Sequence, residues 1–122
     1  MGLATHWQRV EGALVLAAAL GLMSVWGAAV PWYWAVVLFL APDLSFAGYV
    51  AGPRLGAACY NVVHIHGFGA AICALGAVAG YPTLTTLGLL WLAHSGFDRM
   101  LGYGLKLPSG FGDTHMGPIG RR

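Results

Sequence analysis

The sequence predicts an all-α, polytopic membrane protein: a bundle of four transmembrane helices with short loops and both termini in the cytoplasm. Three observations carry this. Of 122 residues, 58% are apolar and 8% charged, against roughly 45–50% and 25% in soluble domains, too few charges to coat a water-facing surface. Two uncharged stretches, 31 residues between Glu11 and Asp43 and 43 between Arg54 and Asp98, each exceed the about 20 residues of one bilayer crossing. Each therefore holds a turn. Neither turn contains Lys or Arg, and the positive-inside rule assigns such turns to the outside.

The first span, near 11–29, ends in Gly27-Ala28-Ala29-Val30-Pro31, because proline lacks a backbone donor and disfavours helix in the residue before it. The second, near 32–51, opens on Trp32, Tyr33 and Trp34, rings that favour the headgroup layer. Inside it, Pro42 frees a carbonyl just before Asp43, and helix breaks at membrane depth occur where they line a protein cavity. Gly52-Pro53-Arg54 leads into a third span near 55–79. Gly80-Tyr81-Pro82 then turns the chain into a fourth near 83–103. Residues 106–122 form a cytoplasmic tail, loop-like over Leu107-Pro108-Ser109-Gly110-Phe111-Gly112. All six Lys and Arg lie at the N-terminus, in the 52–54 turn or after Asp98. Residues 1–122 thus read as one membrane domain.

The lipid bilayer is the first partner such a chain has. Gly48 and Gly52, Gly52 and Gly56, and Gly76 and Gly80 are four apart, a spacing that lets helix backbones approach closely. These faces suit a homo-oligomer or a larger membrane complex. The net charge of +2 is scattered, with no basic stripe interleaved with aromatics, so nucleic acid is not expected as a partner. Cys59 and Cys73, 14 residues apart in one span, lie roughly 21 Å apart along a helix, beyond disulfide reach.

The polar residues inside the spans carry the chemistry. Counted from the span ends, Asp43, Asn61, His64 and His94 all fall roughly 8–15 Å from the cytoplasmic boundary of a core about 30 Å thick. Ionisable groups at that depth cost about 2.5–3.5 kcal/mol on insertion scales and turn to the bundle interior for partners. Tyr60, Asn61 and His64 share a face by their spacings of three and four, as do His94 and Asp98. His66, two residues from His64, points about 200° away and joins them only if the helix is broken.

Several of these residues sit in longer motifs. Pro42-Asp43-Leu44-Ser45, Ala51-Gly52-Pro53-Arg54, Tyr60-Asn61-Val62-Val63-His64, the run from Leu92 to Lys106, and Gly112-Asp113-Thr114-His115 resemble a family of small bacterial integral membrane proteins, the domain of unknown function numbered 4260. The resemblance implies a four-span membrane protein of the bacterial inner membrane. It supplies no mechanism.

Three functional readings follow from the polar layer. In the first, Asp43, Asn61, His64, His94 and Asp98 hydrogen-bond to one another and register the helices of a structural or accessory subunit. In the second, His64, His94 and Asp98 bind a divalent metal, Zn or Fe, with Asp43 as fourth ligand or general base, because imidazole and carboxylate are the ligands of such centres. Asn61 would orient a ligand, Asp113 and His115 would reach back from the tail, and the chain would be a hydrolase of a lipid-like substrate. In the third, the same Asp and His groups relay protons or small solutes.

Overall fold

Proline and glycine set most of the element boundaries in the computed structural model, which describes residues 2–120. Arg121 and Arg122, counted above with the cytoplasmic tail, lie outside the described residues. Helix α1 spans Leu3–Trp26 and stops at extended Gly27. It begins well before residue 11, because Thr5, His6, Gln8 and Arg9 end the apolar stretch without ending the helix. Pro31 precedes α2, Trp32–Leu40, and Pro42 then converts the rod to a 3₁₀ helix over Ala41–Ala51. A proline within a helix cannot donate to the carbonyl four residues back. Ala41, just before it, already donates to Leu38, three residues back.

Gly52, at φ 112°, releases the chain into α3, Pro53–His64. The expected third span is broken at Ile65 (φ −74°, ψ 145°), and α4, His66–Ala79, continues at 46° to α3. Gly80, at φ 75°, ends α4. The last helix, α5, runs Pro82–Leu101 and closes on Gly102 at φ 97°. Beyond it the tail forms an antiparallel hairpin, β1 (Lys106–Leu107) with β2 (Gly110–Thr114), Lys106 opposite Thr114 and Leu107 opposite Gly110. The loop-like reading of 107–112 missed it because two residues are too few to show alternation.

α5 is the central element, packed between α1 and α4. Glycines make both crossings close: Gly12 of α1 meets the Gly96 and Met100 backbone of α5, and Gly88 of α5 meets the Cys73 backbone of α4. Ala19, Leu89 and Ala93 form the apolar core, with Phe39 and Leu92 against it. Three of the five glycines spaced by four also pack within the chain. Gly48 abuts Cys59, Gly56 lies under the Tyr49 ring, and Gly76 abuts Thr85. Large apolar side chains such as Val25, Trp26, Val36, Val50 and Val78 face outward.

α1 and the continuous α2–3₁₀ rod are long and apolar enough to cross a membrane. The bent α3–α4 pair is a third such segment if it counts as one span. The chain is thus an all-α protein with two or three candidate membrane-spanning segments.

Candidate functional site

The break at Ile65 makes His64 the last residue of α3 and seats it at an inside corner, 2% exposed. Breaking a helix frees carbonyls that need donors. α5 supplies them: Trp91 Nε1 donates to the Val63 carbonyl at 2.9 Å and Arg99 Nη2 to the His64 carbonyl at 3.4 Å. The His64 ring stacks on Tyr60, with centroids 3.7 Å apart and planes at 9°. Its Nδ1 lies 2.8 Å from the Tyr60 carbonyl. A carbonyl only accepts, so Nδ1 carries a proton, and in the neutral ring Nε2 faces inward as an acceptor.

The 3₁₀ helix brings in the first carboxylate. At three residues per turn, Asp43, Phe46 and Tyr49 align on one side. Phe46 stacks on Tyr60 with centroids 5.4 Å apart, which turns Asp43 toward His64. From α5, His94 and Asp98 project together by their spacing of four, Asp98 accepting from the Tyr60 hydroxyl at 3.4 Å.

The four groups meet. His64 Nε2 is 3.2 Å from Asp43 Oδ1, 3.7 Å from Asp98 Oδ2 and 3.2 Å from His94 Nε2. His94 Nε2 is 3.2 Å from both Asp43 Oδ1 and Asp98 Oδ2. All four donor atoms lie within 4.8 Å of one another. Both histidines are buried, 2% exposed each, whereas the Asp43 side chain is 38% and that of Asp98 17% exposed.

Protons are scarce in this cluster. Two N–H groups cannot face each other across the 3.2 Å between the Nε2 atoms, so the two histidines hold at most one proton there. Two carboxyl groups, acceptor-only when ionised, and an imidazole nitrogen surround that proton. A divalent ion suits such a set. Ligands about 2.0–2.1 Å from zinc stand about 3.3–3.4 Å apart along the edges of a tetrahedron, close to five of the six separations here, 3.2–3.7 Å; the two carboxylate oxygens lie within 4.8 Å of each other. The Tyr60 carbonyl on His64 Nδ1 is the outer contact that orients a metal-bound imidazole. His94 Nδ1 has no hydrogen-bond partner among the described residues.

Other residues singled out in the sequence lie elsewhere. Asn61 Nδ2 donates to the Lys106 carbonyl at 2.9 Å, and its Oδ1 accepts from the Lys106 N–H at 2.7 Å. Asp113 accepts from Ser109 Oγ at 2.7 Å. His115 Nδ1 accepts from the Leu105 N–H at 2.9 Å, and its Nε2 is 3.3 Å from Gln8 Oε1. His66 sits 3.1 Å from Ser95 Oγ, outside the cluster even though the helix breaks beside it.

A cavity of about 320 Å³ adjoins the two carboxylates, its walls completed by Phe46, Tyr60, Lys106 and Phe111 among others. Sequence reasoning missed Phe46 and Lys106. The signal for Phe46 was its spacing of three from Asp43, visible only once a 3₁₀ helix is assumed. Lys106 is 4% exposed, and Nζ donates to the Phe111 carbonyl at 2.8 Å. The ammonium lies 3.8 Å over the Phe111 ring and 5.2 Å over that of Tyr60. Burial lowers its pKa from the usual lysine value.

Fold and cluster together define a small all-α protein with helices of membrane-spanning character around a buried Asp/His group. The chain belongs to the family described as Domain of unknown function (DUF4260), which matches residues 5–119. No curated protein and no solved structure matches it.

Proposed function

We propose that this chain is a divalent-metal hydrolase of the bacterial inner membrane, with four spans, both termini in the cytoplasm and a lipid-like substrate. The observation that carries the reading is the convergence of four ligand atoms within 4.8 Å of one another, five of their six separations being 3.2–3.7 Å, with at most one proton between the two histidines. A packing role calls for donors matched to acceptors, and this cluster is short of donors. A proton path would need free hydroxyls in the outer half. Of the four hydroxyls there, Ser24, Thr85 and Thr86 donate to Gly21, Tyr81 and Pro82 of their own helix or turn, and Thr83 is exposed at the start of α5.

The four-span topology is supported by the lengths of the rods and by the absence of Lys and Arg from the turns at 27–31 and 80–82. His64, His94 and Asp98 would hold the ion, Zn or Fe, which would supply Lewis-acid chemistry when bound. Asp43, the most exposed of the four and a wall of the cavity, would complete the ligand set or act as base toward a water. Water gives a proton to Asp43 and forms an O–C or O–P bond at the ester centre. The ester C–O or P–O bond breaks, and the leaving alcohol takes up that proton.

Elemental analysis of the detergent-purified protein tests this reading. About one zinc or iron per chain is expected, and metal-free preparations that bind neither ion on titration would overturn it.

A further inference from the structure

The cavity is lined by charged groups of both signs: the carboxylates of Asp43 and Asp98, and Lys106, an ammonium 4% exposed. A buried cation is costly unless it is paired. Among the described residues, the hydrogen-bond acceptor for Nζ is the Phe111 carbonyl, which leaves two of the three ammonium donors for a ligand. The lysine is also fixed in place, because both backbone polar groups of residue 106 are bonded to Asn61.

Charge counting gives the sign of what fits. A divalent ion offsets the two carboxylates, the histidines being neutral, and Lys106 then leaves one positive charge uncompensated. We infer that the cavity binds the phosphate-bearing headgroup of a single-chain amphiphile, its phosphate held between Lys106 and the metal. Lysine is a common point-charge partner of phosphate. The volume of about 320 Å³ matches roughly ten waters at about 30 Å³ each, enough for a headgroup and too small for a long acyl chain. Phe46, Phe111 and Ile119 in the wall offer the apolar exit for that chain. This rests on the metal reading above.

The test uses the full chain in nonionic detergent, with metal content measured for each preparation and three probes titrated calorimetrically: oleoyl lysophosphatidic acid, monoolein and inorganic phosphate. The lysophosphatidic acid is expected to bind at least tenfold more tightly than monoolein. Lys106→Met removes that preference, and Lys106→Arg keeps most of it, with metal content unchanged in both. Equal affinity for the two oleoyl compounds in metal-loaded protein overturns the inference. So does a preference that survives in a folded Lys106→Met variant. Inorganic phosphate binding as tightly as the lysophospholipid overturns the amphiphile assignment and makes free phosphate the ligand. Should Lys106→Met fail to fold, the wild-type comparison of the two oleoyl compounds still decides. Absence of metal sinks the hydrolase reading separately.

Discussion

Asn61 and Lys106 are joined by a reciprocal pair of hydrogen bonds, the amide of Asn61 meeting both the N–H and the carbonyl of residue 106 at 2.7 and 2.9 Å. A side chain on α3 thereby takes the place of a neighbouring strand. It holds the tail hairpin over the cavity.

Asn61→Leu removes both bonds and leaves two backbone groups unpaired, at about 1–3 kcal/mol for each buried group. The loss is local to the hairpin. Trypsin is expected to cut after Lys106 at least tenfold faster in the variant than in the wild type, with the melting temperature of the helices little changed. Equal cleavage rates would show that Asn61 does not secure the tail.

On the metal reading, His94→Ala and Asp98→Ala are each expected to abolish bound zinc or iron while helicity persists, because close glycine packing holds α5 to its neighbours. Asp43→Asn, at the more exposed corner, keeps the ion and loses ester hydrolysis by at least a hundredfold. Metal analysis and circular dichroism on the same samples check all three. Full metal retention in His94→Ala removes that residue from the ligand set.

The sequence announced the rods and the polar layer better than the joints between them. Counting from the span ends set Asp43, His64 and His94 at one depth, and these residues with Asp98 lie within 4.8 Å of one another. The break at Ile65 was not legible. A β-branched residue between two histidines carries no glycine or proline signal, and its donors come from Trp91 and Arg99, some 28 and 35 positions from the carbonyls they satisfy. Asn61 was read as a neighbour of His64 on α3, and its partner in the tail was hidden for the same reason. The burial of Lys106 depends on a hairpin whose first strand is two residues long. Local pattern cannot report such long-range pairings.

His115 makes the tail sensitive to pH. Burial lowers its pKa from the ordinary 6.5, and Nδ1 accepts a hydrogen bond from Leu105 that only the neutral ring can take. A depressed pKa means that its contribution is fully present above pH 6.5 and is lost as pH falls through the lower folded value. Hydrogen exchange at the Leu105 amide is expected to accelerate between pH 7.5 and 5, once corrected for intrinsic rates. His115→Gln removes that dependence; an unchanged profile in the variant would assign it to other groups.

Two alanine substitutions separate packing from helix propensity. Gly88→Ala drives a methyl into the Cys73 backbone at the α4–α5 crossing and is expected to destabilise by about 1–3 kcal/mol, the usual cost of overpacking. Gly21→Ala, with nothing within 4 Å of the added carbon, gains roughly 0.5–1 kcal/mol of helix propensity. Thermal unfolding in one detergent gives both signs.

Topology is checked by reporter fusions. Fusions after Arg54 and after Gly120 are expected to report cytoplasm, and those at Ala29 and Tyr81 the outside. A cytoplasmic signal at Tyr81 would overturn the four-span arrangement.

The placement of α5 bears on how the protein is made. It follows the other described helices in the chain, yet it lies between α1 and α4. It is not among the helices apolar enough to cross a membrane alone, since it carries His94, Asp98 and Arg99. On the four-span reading, a segment that partitions poorly into lipid enters the bilayer only when earlier helices shield its polar face. The preceding helices then act as a template at the translocon, and α1 waits through the synthesis of four further helical segments for its main partner. Truncation before Pro82 would leave Gly12, Gly69 and Gly76 facing lipid, a surface for quality-control proteases to read.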